Sequence, residues 1–157
     1  MSVLLISSDE VQFPVSVAVA KCSGLLDSMI EDSPSTEPIP LLGVHSNVLK
    51  KILAFCEHSL EEPLPEIEKP IRSDTFERIP TWYNTFVSIH HTELFQLVEG
   101  ANYMDVGPLM DLTCAKIASM IKDKTVEEIR ATFDLQNDFT PEEEAAFREE
   151  MRWCEDC

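Results

Sequence analysis

The chain has 157 residues, 44% of them hydrophobic and 26% charged, with a formal net charge of −17. That length holds one domain, or one domain with an appended subdomain, and the apolar share argues against wholesale disorder. The charge argues against nucleic acid and anionic membrane as partners, because both demand Lys and Arg to neutralise phosphate, and leaves proteins, basic ones among them.

The chain starts β and turns α. Val3 to Ile6 is a short apolar run, "SSDE" supplies a turn, and Phe13, Val15 and Val17 alternate with Pro14, Ser16 and Ala18, which predicts a hairpin. Pro14 cannot donate to a ladder and marks its strand as an edge. "GLLDSMIED" reads as a short helix, Ser33 to Pro38 as a loop, and Ile39 to Leu42 as a brief strand. From Val44 the period becomes helical, with Val44, Val48, Leu49, Ile52, Leu53, Cys56 and Leu60 at three- and four-residue spacing. Residues 61–79 carry Pro63, Pro65 and Pro70 among charges and read as a solvated loop. After Pro80 the pieces "PTWYNTFVSI", "TELFQLVEGANYMD", "GPLMDLTCAKIASMIKDK", "TVEEIRATF" and the closing stretch all read as helix.

The N-terminal "MSVLLISSDEV" lacks the basic flank and long apolar core of a signal peptide, and no stretch approaches the roughly 20 apolar residues of a membrane span. A cytoplasmic and nuclear location is the expectation, and five cysteines without framework spacing suit a reducing compartment.

Catalytic chemistry finds no foothold. The four glycines form no phosphate loop or dinucleotide fingerprint, and the carboxylates fall on helix faces that would be solvated. Cys154 and Cys157 form a C-x-x-C at the chain end, a poor half-site for zinc; Cys56 and His58 do not complete it. His90 and His91 read as surface turn residues. No enzyme activity, cofactor or metal is expected.

Two helical segments carry more apolar surface than a lone domain uses. At about 100° per residue, Leu109, Met120, Ile117, Met110, Ile121, Cys114 and Ala118 cover about half the circumference, interrupted only by Thr113, whereas a surface helix needs a stripe of ~100°. The chain end is better specified at its start than along its length. Thr125-Val-Glu-Glu128 and Thr140-Pro-Glu-Glu143 are capping boxes, the second with Pro141 at the first helical position. Beyond it Ala146, Phe147, Met151 and Cys154 make a thin stripe, with Trp153 to one side, too little to hold a short helix down unaided. Together they read as a docking surface that a partner covers.

"IRATFDLQNDFTPEEEAAFREEMRWCED" and "LFQLVEGANYMDVGPLMDLTCAKIASMIKDKTVEEIR" resemble the C-terminal part of the Skp family, the adaptor subunit of Skp–cullin–F-box ubiquitin ligases. "LLISSDEVQFPVSVAVAKCSGLLDSMIED", "VLKKILAFCEHS" and "IPTWYNTF" resemble its earlier parts, so the likeness spans essentially the whole chain. It implies an α/β fold: a BTB/POZ-like, cullin-binding domain over residues 1–123 and a C-terminal helical, F-box-binding extension over 124–157. It also implies a non-catalytic adaptor that bridges F-box substrate receptors to a cullin. By the same resemblance Met110, Cys114, Ile117, Ile121, Ile129, Phe133, Asn137, Phe139 and Trp153 face the F-box, and Asn102 and Tyr103 face the cullin. Pro141 matches a proline that is hydroxylated and then glycosylated in some protist members.

The departures fall on the cullin side. Val106-Gly107-Pro108 stands where the family has "IKG", so a lysine is missing; His90-His91 replaces an acidic-amide pair, Tyr83 stands where Asp is common, and the acidic insertion near Ser33 to Pro38 is short. The alternative they leave is an F-box-binding subunit of a non-ligase assembly, such as a kinetochore complex, without cullin. The sequence leaves open whether the protein forms a homodimer when free of F-box protein.

Overall fold

The computed structural model describes residues 1–32 and 37–155. Most of the expected Ser33 to Pro38 loop, and Cys157 of the terminal cysteine pair, therefore lie outside the described residues. The chain divides into two compact units, Met1–Lys122 and Asp123–Cys157.

In the first unit, Ser2–Ile6 (β1) and Gln12–Ser16 (β2) pair antiparallel, with Ser2 opposite Ser16 and Ile6 opposite Gln12. Ile39–Pro40 (β3) joins β1 in parallel. The order β2-β1-β3 makes β2 an edge, where Pro14 does no harm. The expected alternation through Val17 stops one residue early. The Ser16 hydroxyl accepts from the Val19 N–H at 3.3 Å and starts a single helical turn, Val17–Ala20 (α1), with Val19 and Ala20 buried. A side-chain cap satisfies an orphan donor that a strand end leaves open. The strand expected over Ile39 to Leu42 is only two residues long, although the Leu41 N–H still donates to the Ile6 carbonyl at 2.7 Å.

Helices make up the rest of this unit: Gly24–Asp32 (α2), Ser46–Glu61 (α3), Thr81–Val87 (α4), His91–Met104 (α5) and Gly107–Ile121 (α6). On α3 the periodic residues Leu49, Ile52, Leu53 and Cys56 are buried as expected, but Leu60 is exposed at the end, and Phe55 joins the core beside Tyr83 and Phe86. Helix α5 packs on α2, α3 and α6, burying Leu94, Leu97, Gly100, Ala101 and Met104. Gly100 permits the approach to α3: a Cβ there would come 2.7 Å from Val48 Cγ1 and 2.9 Å from Ile52 Cδ1.

Two expectations need correction. Residues 61–79 are not a merely solvated loop, because Ile67, Thr75 and Ile79 are buried and Thr75–Glu77 forms a short 3-10 turn. The prolines keep this backbone out of regular structure while its apolar side chains fasten it to the core. The Tyr83 hydroxyl, donating to the Glu62 carbonyl, fixes its start. His91 is not a surface residue either: it opens α5 and is buried, whereas exposed His90 is the N-cap, its Nδ1 accepting from the Thr92 N–H at 3.4 Å.

The β1–β2 turn is tied to α3 by one carboxylate. Asp9 Oδ1 accepts from the Ser46 N–H at 2.9 Å and from the Ser7 hydroxyl at 2.7 Å, while Oδ2 accepts from the Ser46 hydroxyl at 2.6 Å. The Ser46 and then the Ser7 hydroxyl hold this carboxyl well below the usual aspartate range. A depressed acid stabilises the fold fully above its ordinary value of about 3.9 and loses that contribution as pH falls through the folded value. Asp9→Ala is expected to unfold at lower urea than the parent at neutral pH, with the gap closing progressively below about pH 4. A gap that persists undiminished into strong acid would remove Asp9 from this role.

Candidate docking surface

Helix α6 sorts its wide apolar arc into two faces. Leu109, Leu112, Thr113 and Ala115 are buried in the first unit. Thr113, the polar interruption in the arc, returns its hydroxyl to the Leu109 carbonyl at 2.8 Å, so burying it strands no donor. On the other side Cys114 and Ile121 are exposed, and Met110 and Ile117 are half-buried at the core edge. At 100° per residue these four share an arc of about 60°, and no polar side chain interrupts it.

In the second unit, Val126–Phe133 (α7) and Pro141–Glu155 (α8) are joined by a structured link. Both capping boxes form. Thr125 Oγ1 accepts from the Glu128 N–H while Glu128 accepts from the Thr125 N–H, and Thr140 and Glu143 exchange the same pair of bonds. Asn137 Oδ1 accepts from the Phe139 N–H at 3.2 Å and its amide donates to Glu144 at 3.4 Å, which sets the entry to α8. Arg148 reaches Glu127 at 2.7 Å and Glu144 at 3.2 Å. The Glu127 carboxyl lies below its usual range, chiefly through its own backbone N–H and with help from Arg148 and Arg130. These exposed pairs position α8 on α7 but add little stability.

The apolar side chains of this unit are left uncovered. Phe139 is 45% exposed, Phe147 51%, Met151 58% and Trp153 70%. The Phe139 and Phe147 rings meet at 5.1 Å, and Val126, Phe139, Phe147 and Met151 border a groove of about 600 Å³ between α7 and α8. Ile129 is half-buried and Phe133 buried, so of the expected contact residues Phe133 supports the surface from beneath, while Asn137 orients Phe139. Phe147 and Met151, which the sequence places in the apolar stripe of α8, are exposed beside Phe139. Their stripe is visible in the sequence, but their exposure depends on what lies opposite, which a sequence does not show.

The other expected pair sits at the end of α5. Asn102 and Tyr103 are both exposed, the tyrosine by 41%. A Cβ on Gly43 would lie 2.5 Å from Tyr103 Cε2, so the ring rests against that glycine and its orientation is set. The corner beyond is pinned. Asp105 closes α5 at φ 56, its carbonyl accepts from the Gly24 N–H at 3.0 Å, and the Ser23 hydroxyl donates to the Met104 carbonyl. Val106 is buried, whereas Gly107 and Pro108 lie exposed in the first turn of α6, with open space where a Gly107 side chain would go.

Of the described cysteines, Cys22 and Cys56 lie together, with Cys22 Sγ 4.0 Å from the Cys56 carbonyl oxygen. Burial raises the Cys56 thiol to about 12, which keeps it protonated at neutral pH, and His58 stacks on Trp82 at 3.9 Å. Cys154 is exposed on α8. Among the described residues no helix is long and apolar enough to cross a membrane.

A small sheet backed by helices, with uncovered apolar faces on α6 and on the α7–α8 pair, is built for binding other proteins. The "Skp1 family, tetramerisation domain" matches residues 1–61 and the "Skp1 family, dimerisation domain" matches residues 107–154. The chain is 44% identical over 156 residues to the S-phase kinase-associated protein 1 homolog of Tetrahymena thermophila, covering 98% of this chain and 94% of that protein. It is 43% identical over 155 residues to the SCF ubiquitin ligase complex protein SKP1a of Dictyostelium discoideum, covering 98% and 96%. It is 41% identical over 155 residues to the E3 ubiquitin ligase complex SCF subunit sconC of Talaromyces stipitatus, covering 98% and 97%. The chain belongs to the Skp1 family, and its fold is the BTB/POZ-like α/β domain with the family's C-terminal helices.

The contrast between the two tryptophans gives a direct check. Trp82 is half-buried, stacked on Phe86 at 5.0 Å as well as on His58, whereas Trp153 is largely exposed. Acrylamide should quench the emission of a Trp82→Phe variant, which reports Trp153, several-fold more strongly than that of Trp153→Phe. Equal quenching would mean that Trp153 is covered in the free protein.

Proposed function

We propose that this protein is the adaptor of an SCF-type ubiquitin ligase, without catalytic activity of its own, holding an F-box substrate receptor and a cullin at the same time. Its family and the ubiquitin-ligase names of its relatives support that reading. The observation that carries it is α8, which stands capped and helical with Phe147, Met151 and Trp153 exposed, and with Phe139 exposed in the turn just before it. Exposed aromatic residues at that density mark a surface that another protein buries. The F-box covers the outer face of α6, made of Met110, Cys114, Ile117 and Ile121, and the face of the second unit made of Ile129, Phe139 and Trp153, with Asn137 and Phe133 as positioning residues. Cullin meets the end of α5 through Asn102 and Tyr103.

A quantitative pull-down from lysate of the source cell tests both faces, using the parent, a truncation after Phe133 and an Asn102→Ala/Tyr103→Ala pair. Truncation should remove F-box proteins, and the pair should remove cullin alone. Retrieval of F-box proteins without cullin by the parent itself would instead select the non-ligase assembly. Trp153→Ala is expected to weaken the isolated F-box complex by about 1 to 3 kcal/mol in titration calorimetry, as for a central anchor; an unchanged dissociation constant would take it off the surface.

Gly107 offers a gain-of-function test. The missing family lysine maps to this position, and nothing there obstructs a side chain. Gly107→Lys should tighten cullin binding, most at low salt because exposed charges are screened. No change would show that the lysine is dispensable here.

Pro141 is exposed on the first turn of α8, accessible to the hydroxylation and glycosylation that the matching proline undergoes in some protist members of the family. Intact mass of natively purified protein should show one added oxygen, with or without sugar, absent from Pro141→Ala. An unmodified mass would exclude the modification in that material.

A further inference from the structure

The faces of α8 differ in charge. Beside the groove shared with α7, Arg148 is engaged by Glu127 and Glu144, and Arg130 lies 3.9 Å from Glu144, so cations and anions there neutralise one another. Around the other side of Phe147 lies a second depression of about 450 Å³, with Phe139, Ala146 and Phe147 as its apolar lining and Asp138, Glu143 and Glu150 on its rim. Among the described residues no cation lies within ion-pair distance of Asp138 or Glu150, while Glu143 gives one oxygen to the Thr140 N–H. The site thus joins a half-exposed aromatic pair to Asp138 and Glu150, carboxylates with no ion-pair partner among the described residues.

That combination restricts what can cover it. A wholly apolar partner would bury the phenylalanines but strip water from carboxylates and return nothing for the lost hydration. An acidic partner would meet both these carboxylates and a chain of net charge −17. A segment with an apolar side chain flanked by Lys or Arg satisfies both features, and complementary charge also speeds its encounter.

We infer that the Phe139–Phe147 depression on α8 receives a basic, amphipathic segment of the F-box protein, so that the polarity of that segment helps decide which F-box proteins this chain accepts. The inference rests on the adaptor reading and gives the site its partner chemistry. Asp138 and Glu150 are specificity residues on this account, and the aromatic pair is the anchor.

The test uses the full chain and a recombinant F-box protein recovered in the pull-down, titrated at about 0.05 M and about 0.5 M salt. Asp138→Lys/Glu150→Lys should raise the dissociation constant about tenfold at low salt and much less at high salt. Asp138→Asn/Glu150→Gln should show a smaller loss in the same direction, which separates charge from side-chain bulk. A Glu61→Lys/Glu66→Lys control, equal in charge change but placed elsewhere, should leave binding essentially unchanged. Circular dichroism checks that every variant retains its helix. Unchanged or tighter binding by the reversal pair, or an equal loss in the control, overturns the inference while F-box binding by the parent leaves the adaptor reading intact. A parent that does not bind the F-box protein at all overturns both.

Discussion

Close contact between α5 and its neighbours is the constraint on which the first unit depends. Gly100 has no side chain, so Val48 and Ile52 of α3 come near the α5 backbone; Leu94, Leu97, Ala101 and Met104 are then buried on one helix. Interiors of this density respond to changes of a single methyl group. Because α5 is held on α2, α3 and α6 together, its last turn and the start of α6 are rigidly placed. The Ser23 and Gly24 bonds to Met104 and Asp105 complete the brace. The exposed side chains of Asn102 and Tyr103 therefore stand on a fixed support, which a loop would not provide.

The same packing explains how α6 can expose apolar side chains without losing its place. Leu109, Leu112 and Ala115 secure one face, and the Thr113 hydroxyl satisfies itself within the helix, so the opposite face is free of structural duty. The second unit solves the problem differently. Its helices have few buried side chains, and their ends are fixed by two capping boxes and the Asn137 turn. Local hydrogen bonds define the helix starts, while the aromatic residues stay uncovered. A large negative charge helps such a surface remain soluble.

Several positions that the family resemblance marks as departures have visible physical compensation. Tyr83 fills the core beside Phe55 and uses its hydroxyl to hold the Glu62 carbonyl. His90 takes over the capping of α5 while His91 turns inward. Gly107 and Pro108 fit the first helical turn, where a proline lacks only a donor that would be unsatisfied anyway.

Elements written in local chemistry are legible in the amino-acid order alone: the hairpin with Pro14 on its edge, the periodic apolar face of α3, and the two capping boxes. A cap or a period depends on residues only a few places apart. The surplus apolar arc of α6 is legible in the same way, and so is the stripe of Phe147 and Met151. The assignment of burial is not. His91 and Ile67 have the local pattern of surface residues and belong to the core. Val17 follows the alternation of a strand, and a Ser16 cap turns it into helix. Except at Val17, where the cap is local, the outcome rests on which side chains arrive from distant parts of the chain. By itself the sequence determined the periodicity, the caps and the surplus of apolar surface; only the tertiary structure decided which of that surface stays open, since burial belongs to packed pairs and not to single residues.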